Sequence, residues 1–144
     1  GLPSVKYMAA ELALSPKYLS DLLKQETGKT ALEHIHIALV IEAKNILMST
    51  DKTVAETAYQ LGFENPPYFS RLFKKEEGIS ITDYVIRMRL KKASELLQYS
   101  EISINEIAMK VGYDNFSYFS RLCKKMLGCS PKDYRKKAKE KLNE

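Results

Sequence analysis

Apolar residues recur at three- and four-residue steps along most of the chain, and no stretch shows the strict alternation of a half-buried strand. The stretch Thr53 to Tyr84 is the most legible. It opens with Thr53-Val-Ala-Glu56, a capping box in which the hydroxyl and the carboxylate each accept from a backbone N–H of the other residue. Ala58 and Leu61 then share one face of a short helix, and Gly62 supplies the permissive backbone needed to leave it. Asn65 is placed to cap the next helix, Pro66 and Pro67 suit its first turn, and Phe69, Leu72 and Phe73 repeat at helical spacing. Its other face carries Ser70, Arg71, Lys74 and Lys75. Two short helices, a tight turn and a second helix with an apolar back and a basic front predict a helix-turn-helix.

The pattern returns fifty residues later without a gap, from Ser103 to Tyr134, with about half the positions identical. Glu56/Glu106, Gly62/Gly112, Asn65/Asn115, Gly78/Gly128 and the run from Tyr68/Tyr118 through Leu72/Leu122 are among the matches. It also extends backwards: Tyr18 to Gly28 aligns with Tyr68 to Gly78, and Val5 to Ala9 aligns with Val54 to Ala58 once one turn residue is removed. An internal repeat of this length implies three helix-turn-helix units. Ser4 and Ser15 are the expected N-caps of the first unit, with Ala13-Leu14 as its turn.

Between the units the chain lacks Gly and Pro. Leu32, Ile35, Leu39, Ala43, Ile46 and Leu47 predict one long amphipathic helix from about Thr30 to Ser49. Tyr84, Met88, Leu90, Ala93, Leu96 and Leu97 predict a second from about Ile81 to Tyr99. The expected fold is all-α: a first unit over residues 1–29, a linker helix over 30–50, a second unit over 51–79, a linker over 80–100, and a third unit with a basic C-terminal helix over 101–144. About twenty helical residues span about 30 Å, close to the roughly 34 Å repeat of one B-DNA turn.

At 144 residues, with 44% hydrophobic and 28% charged side chains, the chain has an ordinary globular composition. No apolar run approaches the roughly twenty residues that cross a bilayer, and no signal-peptide pattern is present, so no membrane association and a cytoplasmic setting are expected. Cys123 and Cys129 have no zinc spacing and read as small core residues of a reduced protein. Net charge is +5, unevenly spread: residues 1–50 balance five basic against five acidic side chains, residues 51–100 hold eight against seven, and residues 101–144 hold ten against six. The run Arg135 to Lys141 therefore reads as phosphate-facing, with plain solvation as the alternative.

The segments Arg87 to Gly112 and Gly112 to Arg135 resemble the DNA-binding domain of AraC/XylS-type bacterial transcription regulators, and the resemblance covers essentially the whole chain. Two overlapping copies of the family pattern, residues 5–84 and 53–134, share the middle unit. Members carry two units and one linker, so a third unit is a departure that fits either a natural duplication or an engineered fusion. The resemblance implies double-stranded DNA as partner, with RNA polymerase as a further candidate. The sequence itself has no nucleophile–base arrangement, paired acid cluster or Gly-rich phosphate loop, so no enzymatic activity, cofactor or metal is expected, and the chain is expected to be a monomer, nucleoid-associated when bound.

It also implies that the second helix of each unit enters a major groove. Carried over by alignment, the middle unit would use Pro66, Pro67, Ser70 and Arg71, and the third Phe116, Ser117, Ser120 and Arg121. Arginine there suits bidentate contact with guanine, with phosphate or solvent contact as the alternative. Lys74, Lys75, Lys124 and Lys125 are candidates for backbone phosphate. The first unit offers Pro16, Lys17, Ser20, Asp21 and Lys24. Asp21 stands where the others carry arginine and repels phosphate, so this unit is expected to be the weakest reader, and a site read by the second and third units alone is the runner-up. A protein-interaction module that contacts polymerase is the rival from another class. His34 aligns with Tyr84 and Tyr134, so a packing role is expected of it rather than metal binding.

Overall fold

The structure, a computed structural model, describes residues 2–143. Among these residues there are nine α-helices and no strand: α1 (Val5–Glu11), α2 (Pro16–Thr27), α3 (Ala31–Ser49), α4 (Val54–Gln60), α5 (Pro66–Glu77), α6 (Ile81–Tyr99), α7 (Ile104–Lys110), α8 (Phe116–Leu127) and α9 (Pro131–Leu142). The all-α expectation holds. Helix starts follow the capping residues. Ser4, Ser15, Thr30, Thr53, Asn65, Ser103, Asn115 and Ser130 each accept from the backbone N–H three residues on. The Thr53/Glu56 box closes in both directions, and Thr30/Glu33 forms a second reciprocal box ahead of α3.

The three turns share one geometry. Leu14, Phe63 and Tyr113 donate their N–H groups to Ala9, Ala58 and Ala108 at 2.8, 2.9 and 2.8 Å. The residue before each is left-handed: Ala13 at φ 57°, Gly62 at 96° and Gly112 at 100°. A left-handed residue with a Cβ costs roughly 1–2 kcal/mol, so only the first unit carries strain at this point. Because the turn itself superposes residue for residue, the missing residue falls after it, where Leu14 runs straight into the cap Ser15 and the other units insert Glu64 or Asp114.

The chain divides into two compact units, one through Ile81 and one from Thr82. In the first, α1 packs on α2, α2 on α3, and α3 on both α4 and α5. Ala31 joins a small core with Ala9 and Leu19, edged by Val5, Leu14 and Leu23. Val40, Ala43, Ile46 and Leu47 are the buried residues in the C-terminal half of α3. Leu32, expected on the buried stripe, is instead exposed. An ion pair between Lys44 and Glu77 links α3 to α5.

In the second unit Leu90, Ala93 and Leu97 of α6 are buried with Ile107, Ala108, Val111, Tyr113, Phe119, Leu122 and Cys123. Burial pushes the Cys123 thiol up to about 11, which suits an inert core residue; Cys129 is only half-buried. The C-terminal end of α6 is closed by Arg135, whose Nε donates to the Leu97 carbonyl at 3.2 Å and whose Nη2 donates to Leu96 and Ser100 at 3.5 and 3.3 Å. Gln98 donates to the Tyr134 hydroxyl at 2.6 Å, and Lys139 meets Glu101 at 2.6 Å, holding the Glu101 carboxyl below its usual value. Arg135 and Lys139 of the basic run thus tie α9 to the end of α6.

Candidate nucleic-acid interface

Each unit projects its second helix in the same way. The side chain of Ser15, Asn65 or Asn115 accepts from the N–H of Tyr18, Tyr68 or Tyr118 at 3.1, 3.2 and 3.0 Å, which defines the first turn of α2, α5 and α8. Proline occupies that turn in α2 and α5. Leu19, Phe69 and Phe119 anchor the three helices from behind, and each is buried. In α5 and α8 two more anchors follow, Leu72 with Phe73 and Leu122 with Cys123.

The opposite face carries the residues singled out by the pattern. Pro67, Arg71, Lys74 and Lys75 of α5 are exposed, with Pro66 and Ser70 half-buried. On α8, Phe116, Ser117, Arg121, Lys124 and Lys125 are exposed and Ser120 is half-buried. On α2, Pro16, Lys17, Asp21 and Lys24 are exposed and Ser20 half-buried. Helical periodicity therefore brings each set together on one solvent-facing stripe. The Arg121 guanidinium lies 6.0 Å from the Tyr118 ring centroid, a cation–π distance that orients it across the start of α8. Tyr68 and Tyr118 sit at the edge of the core, their rings 5.9 and 5.8 Å from Phe63 and Tyr113.

One support was not legible in the repeat. Arg89 of α6 holds its guanidinium 5.3 Å from the Tyr113 ring centroid, and a Cβ on Gly112 would meet its Cζ at 3.1 Å. Linker helix and turn are thereby locked together in the third helix-turn-helix; the first linker has Leu39 at this place. The Tyr113 hydroxyl is buried without a hydrogen-bond partner, and burial raises its pKa against the opposing pull of Arg89. His34 places Nε2 2.8 Å from the Thr27 hydroxyl, a hydrogen bond joining α3 to the end of α2.

Charge separates the two compact units. Through Ile81 the chain holds nine basic and ten acidic side chains; from Thr82 it holds fourteen against eight. Exposed Arg87, Lys91 and Lys92 on α6 and Lys110 on α7 contribute to that excess and lie outside the residues read from the repeat. Their signal was present in the charge tally, which carries no position on a surface.

A profile of the helix-turn-helix domain family matches the chain twice, over residues 8–85 and 67–137. The chain belongs to the AraC/XylS-type helix-turn-helix family. The two matches overlap over residues 67–85, across α5 and the start of α6, so they share the second helix of the middle helix-turn-helix while α4 falls in the first match alone. Among solved structures, the C-terminal domain of AraT, a response regulator from Geobacillus stearothermophilus, is 39% identical with a TM-score of 0.65, over 69% of this chain and 84% of that one. The C-terminal domain of the two-component response regulator yesN from Fusobacterium nucleatum is 29% identical with a TM-score of 0.59, over 74% and 99%. An AraC-type regulator from Chromobacterium violaceum, 24% identical with a TM-score of 0.64 over 70% and 92%, shares the fold. Comparison with curated proteins gives no match. As a member of the AraC type, the chain is a DNA-binding domain of the transcription-regulator class. No helix among the described residues is long and apolar enough to cross a membrane.

Proposed function

We propose that this AraC-type chain reads double-stranded DNA sequence-specifically, with α5 and α8 as its principal recognition helices and α2 as a weaker third. The observation that carries the reading is the paired stripe Ser70/Arg71/Lys74/Lys75 and Ser120/Arg121/Lys124/Lys125, solvent-facing on two helices anchored from behind by buried aromatic residues. Arg71 and Arg121 take base edges, each good bidentate pair contributing roughly 1–3 kcal/mol of discrimination. The lysines one turn further on take phosphates and add salt-dependent affinity without sequence information. Pro66 and Pro67 lack N–H donors, so the start of α5 reads apolar features such as a thymine methyl group. In this reading the chain works as a monomer in the cytoplasm, nucleoid-associated when bound.

Asp21, in the place of Arg71 and Arg121, favours a second reading in which only α5 and α8 read bases and the first helix-turn-helix is supporting or faces polymerase. A footprint on DNA selected from a random library separates the two. With three reading helices the protected region spans about three helical turns, on the order of 30 bp, and Lys17→Glu with Lys24→Glu shortens it by about one turn. An unchanged two-turn footprint in that variant removes α2 from the interface. Affinity that does not fall steeply with salt would overturn DNA reading itself and favour a protein-interaction module.

A further inference from the structure

In the second compact unit Arg89, Tyr113, Tyr118 and Arg121 stand in a row that leads from α6 to the reading face of α8. Arg89 is the half-buried member of a basic stretch in which Arg87, Lys91 and Lys92 are exposed. Leu90 and Ala93, both buried, fix the register of α6 around it. Its guanidinium crosses the turn. Cζ, Nε and Nη1 lie 3.1, 3.3 and 3.4 Å from the place a Cβ on Gly112 would take, and Cζ lies 5.3 Å from the Tyr113 ring centroid. Among the described residues no carboxylate is in ion-pair range of Arg89, so the ring face takes the place of a counter-charge.

The row continues outwards. The Tyr113 and Tyr118 rings meet edge-on, with centroids 5.8 Å apart and planes at 68°, so the positive edge of one ring faces the negative face of the other. Tyr118 in turn carries the Arg121 guanidinium, 6.0 Å from its centroid. Exposure rises along the row, from Tyr113 at 7% to Tyr118 at 40%, with Arg121 in solvent. An exposed arginine samples many rotamers and loses them when it binds a base; rings that hold its guanidinium beforehand reduce that loss. The middle helix-turn-helix keeps the outer half of the row in Tyr68 and Arg71. It has Phe63 in the place of Tyr113 and Leu39 in the place of Arg89, so its linker supplies no cation there.

We infer that Arg89 is a positioning residue for base reading: through Tyr113 and Tyr118 it holds Arg121 in its reading orientation, which makes α8 more discriminating than α5. The inference rests on α8 being a recognition helix and adds what prepares it. The test uses the full chain with Arg89→Leu, which copies the residue of the first linker, and Arg89→Gln, which keeps length and polarity without the charge. Arg89→Lys is the conservative variant. In the free protein the Nε–Hε order parameter of Arg121 is expected to fall with leucine or glutamine and to recover in part with lysine, while backbone order in α8 is unchanged. An unaltered Arg121 order parameter overturns the inference, whatever the chain binds. On selected DNA, Arg89→Leu or Arg89→Gln is expected to lower discrimination about three- to fivefold, the scale of one exposed cation–π contact, at the base pair that Arg121→Ala identifies. The base pair identified by Arg71→Ala is expected to be unaffected. Added to Arg121→Ala, either Arg89 variant is expected to lose nothing more at that first base pair, since the two act as one. Equal loss at both base pairs, or additive losses, would make Arg89 a structural residue. A uniform drop in affinity with a shallower salt slope would make it a phosphate contact. Each of these overturns the inference. If Arg121→Ala leaves every preference intact, base reading by α8 has failed and the role of Arg89 in it falls too, an outcome told apart by a normal response of the order parameter.

Discussion

The first and third helix-turn-helix elements are built on the same turn and differ in nearly everything the turn supports. Around α7 and α8 the core gathers Leu90, Ala93, Leu97, Ile107, Val111, Phe119 and Leu122, whereas around α1 and α2 the buried set is Ala9, Leu19 and Ala31. The third turn uses Gly112 where the first strains Ala13, and α8 presents Arg121 where α2 presents Asp21. A helix-turn-helix is thus a local backbone solution whose stability and reading power come from neighbours. The turn hydrogen bond is made equally well in all three; the linker covering it and the charges around it are not.

The largest test of that contrast lies in the core. Phe119→Ala removes a fully buried ring from a closed cluster and should cost about 3–5 kcal/mol, read as faster hydrogen exchange throughout α6 to α8. Leu19→Ala lies in a thin core and should cost about 2 kcal/mol, the low end for a buried leucine. Equal losses would mean that the first element is as tightly packed as the third.

Next comes reading. Arg121→Ala should lose roughly 1–3 kcal/mol of preference for the selected site over a single-base variant. Asp21→Arg should raise affinity and steepen the salt dependence by about 0.9 in the log–log slope for each additional phosphate neutralised. Titrations at several salt concentrations check both, and an Asp21→Arg variant with an unaltered slope would take α2 off the DNA.

The turn gives a smaller effect. Gly112→Ala should cost about 1–2 kcal/mol for the left-handed backbone, with further loss where the new Cβ displaces Arg89 from its 3.1 Å approach. Ala13→Gly relieves the same strain, but the freer unfolded chain offsets part of it, leaving a net stabilisation of at most about 1 kcal/mol. Denaturant unfolding, resolved by exchange in each region, distinguishes the two signs.

The smallest effect is a pH dependence. The backbone N–H of Thr53, with its hydroxyl, holds the Glu56 carboxyl below its usual value. A lowered folded pKa means the box contributes above the ordinary carboxylate range and is lost as pH falls through the lowered value. Exchange at the start of α4 should accelerate in that acid window, and Glu56→Gln should flatten the response.

How much of this could be read in advance follows from the range of each interaction. The start of α3 at Thr30, the span Ile81–Tyr99 of α6, and the caps at Ser4, Ser15, Thr53 and Asn65 were legible, because capping and 3.6-residue periodicity act within a few residues along the chain. The stripes carrying Arg71 and Arg121 were legible for the same reason. α2 runs to Thr27, where Gly28, left-handed at φ 82°, closes its last turn. What only the tertiary structure decided is which apolar residues meet a partner. Leu32, Met8, Leu12 and Leu22 look like core in sequence yet face solvent, whereas Arg135, charged and placed in a basic run, turns inward to the carbonyls ending α6. Sequence determines the amphipathic pattern of each helix, but burial belongs to pairs of helices, and a side chain is removed from water only where a second surface arrives to cover it.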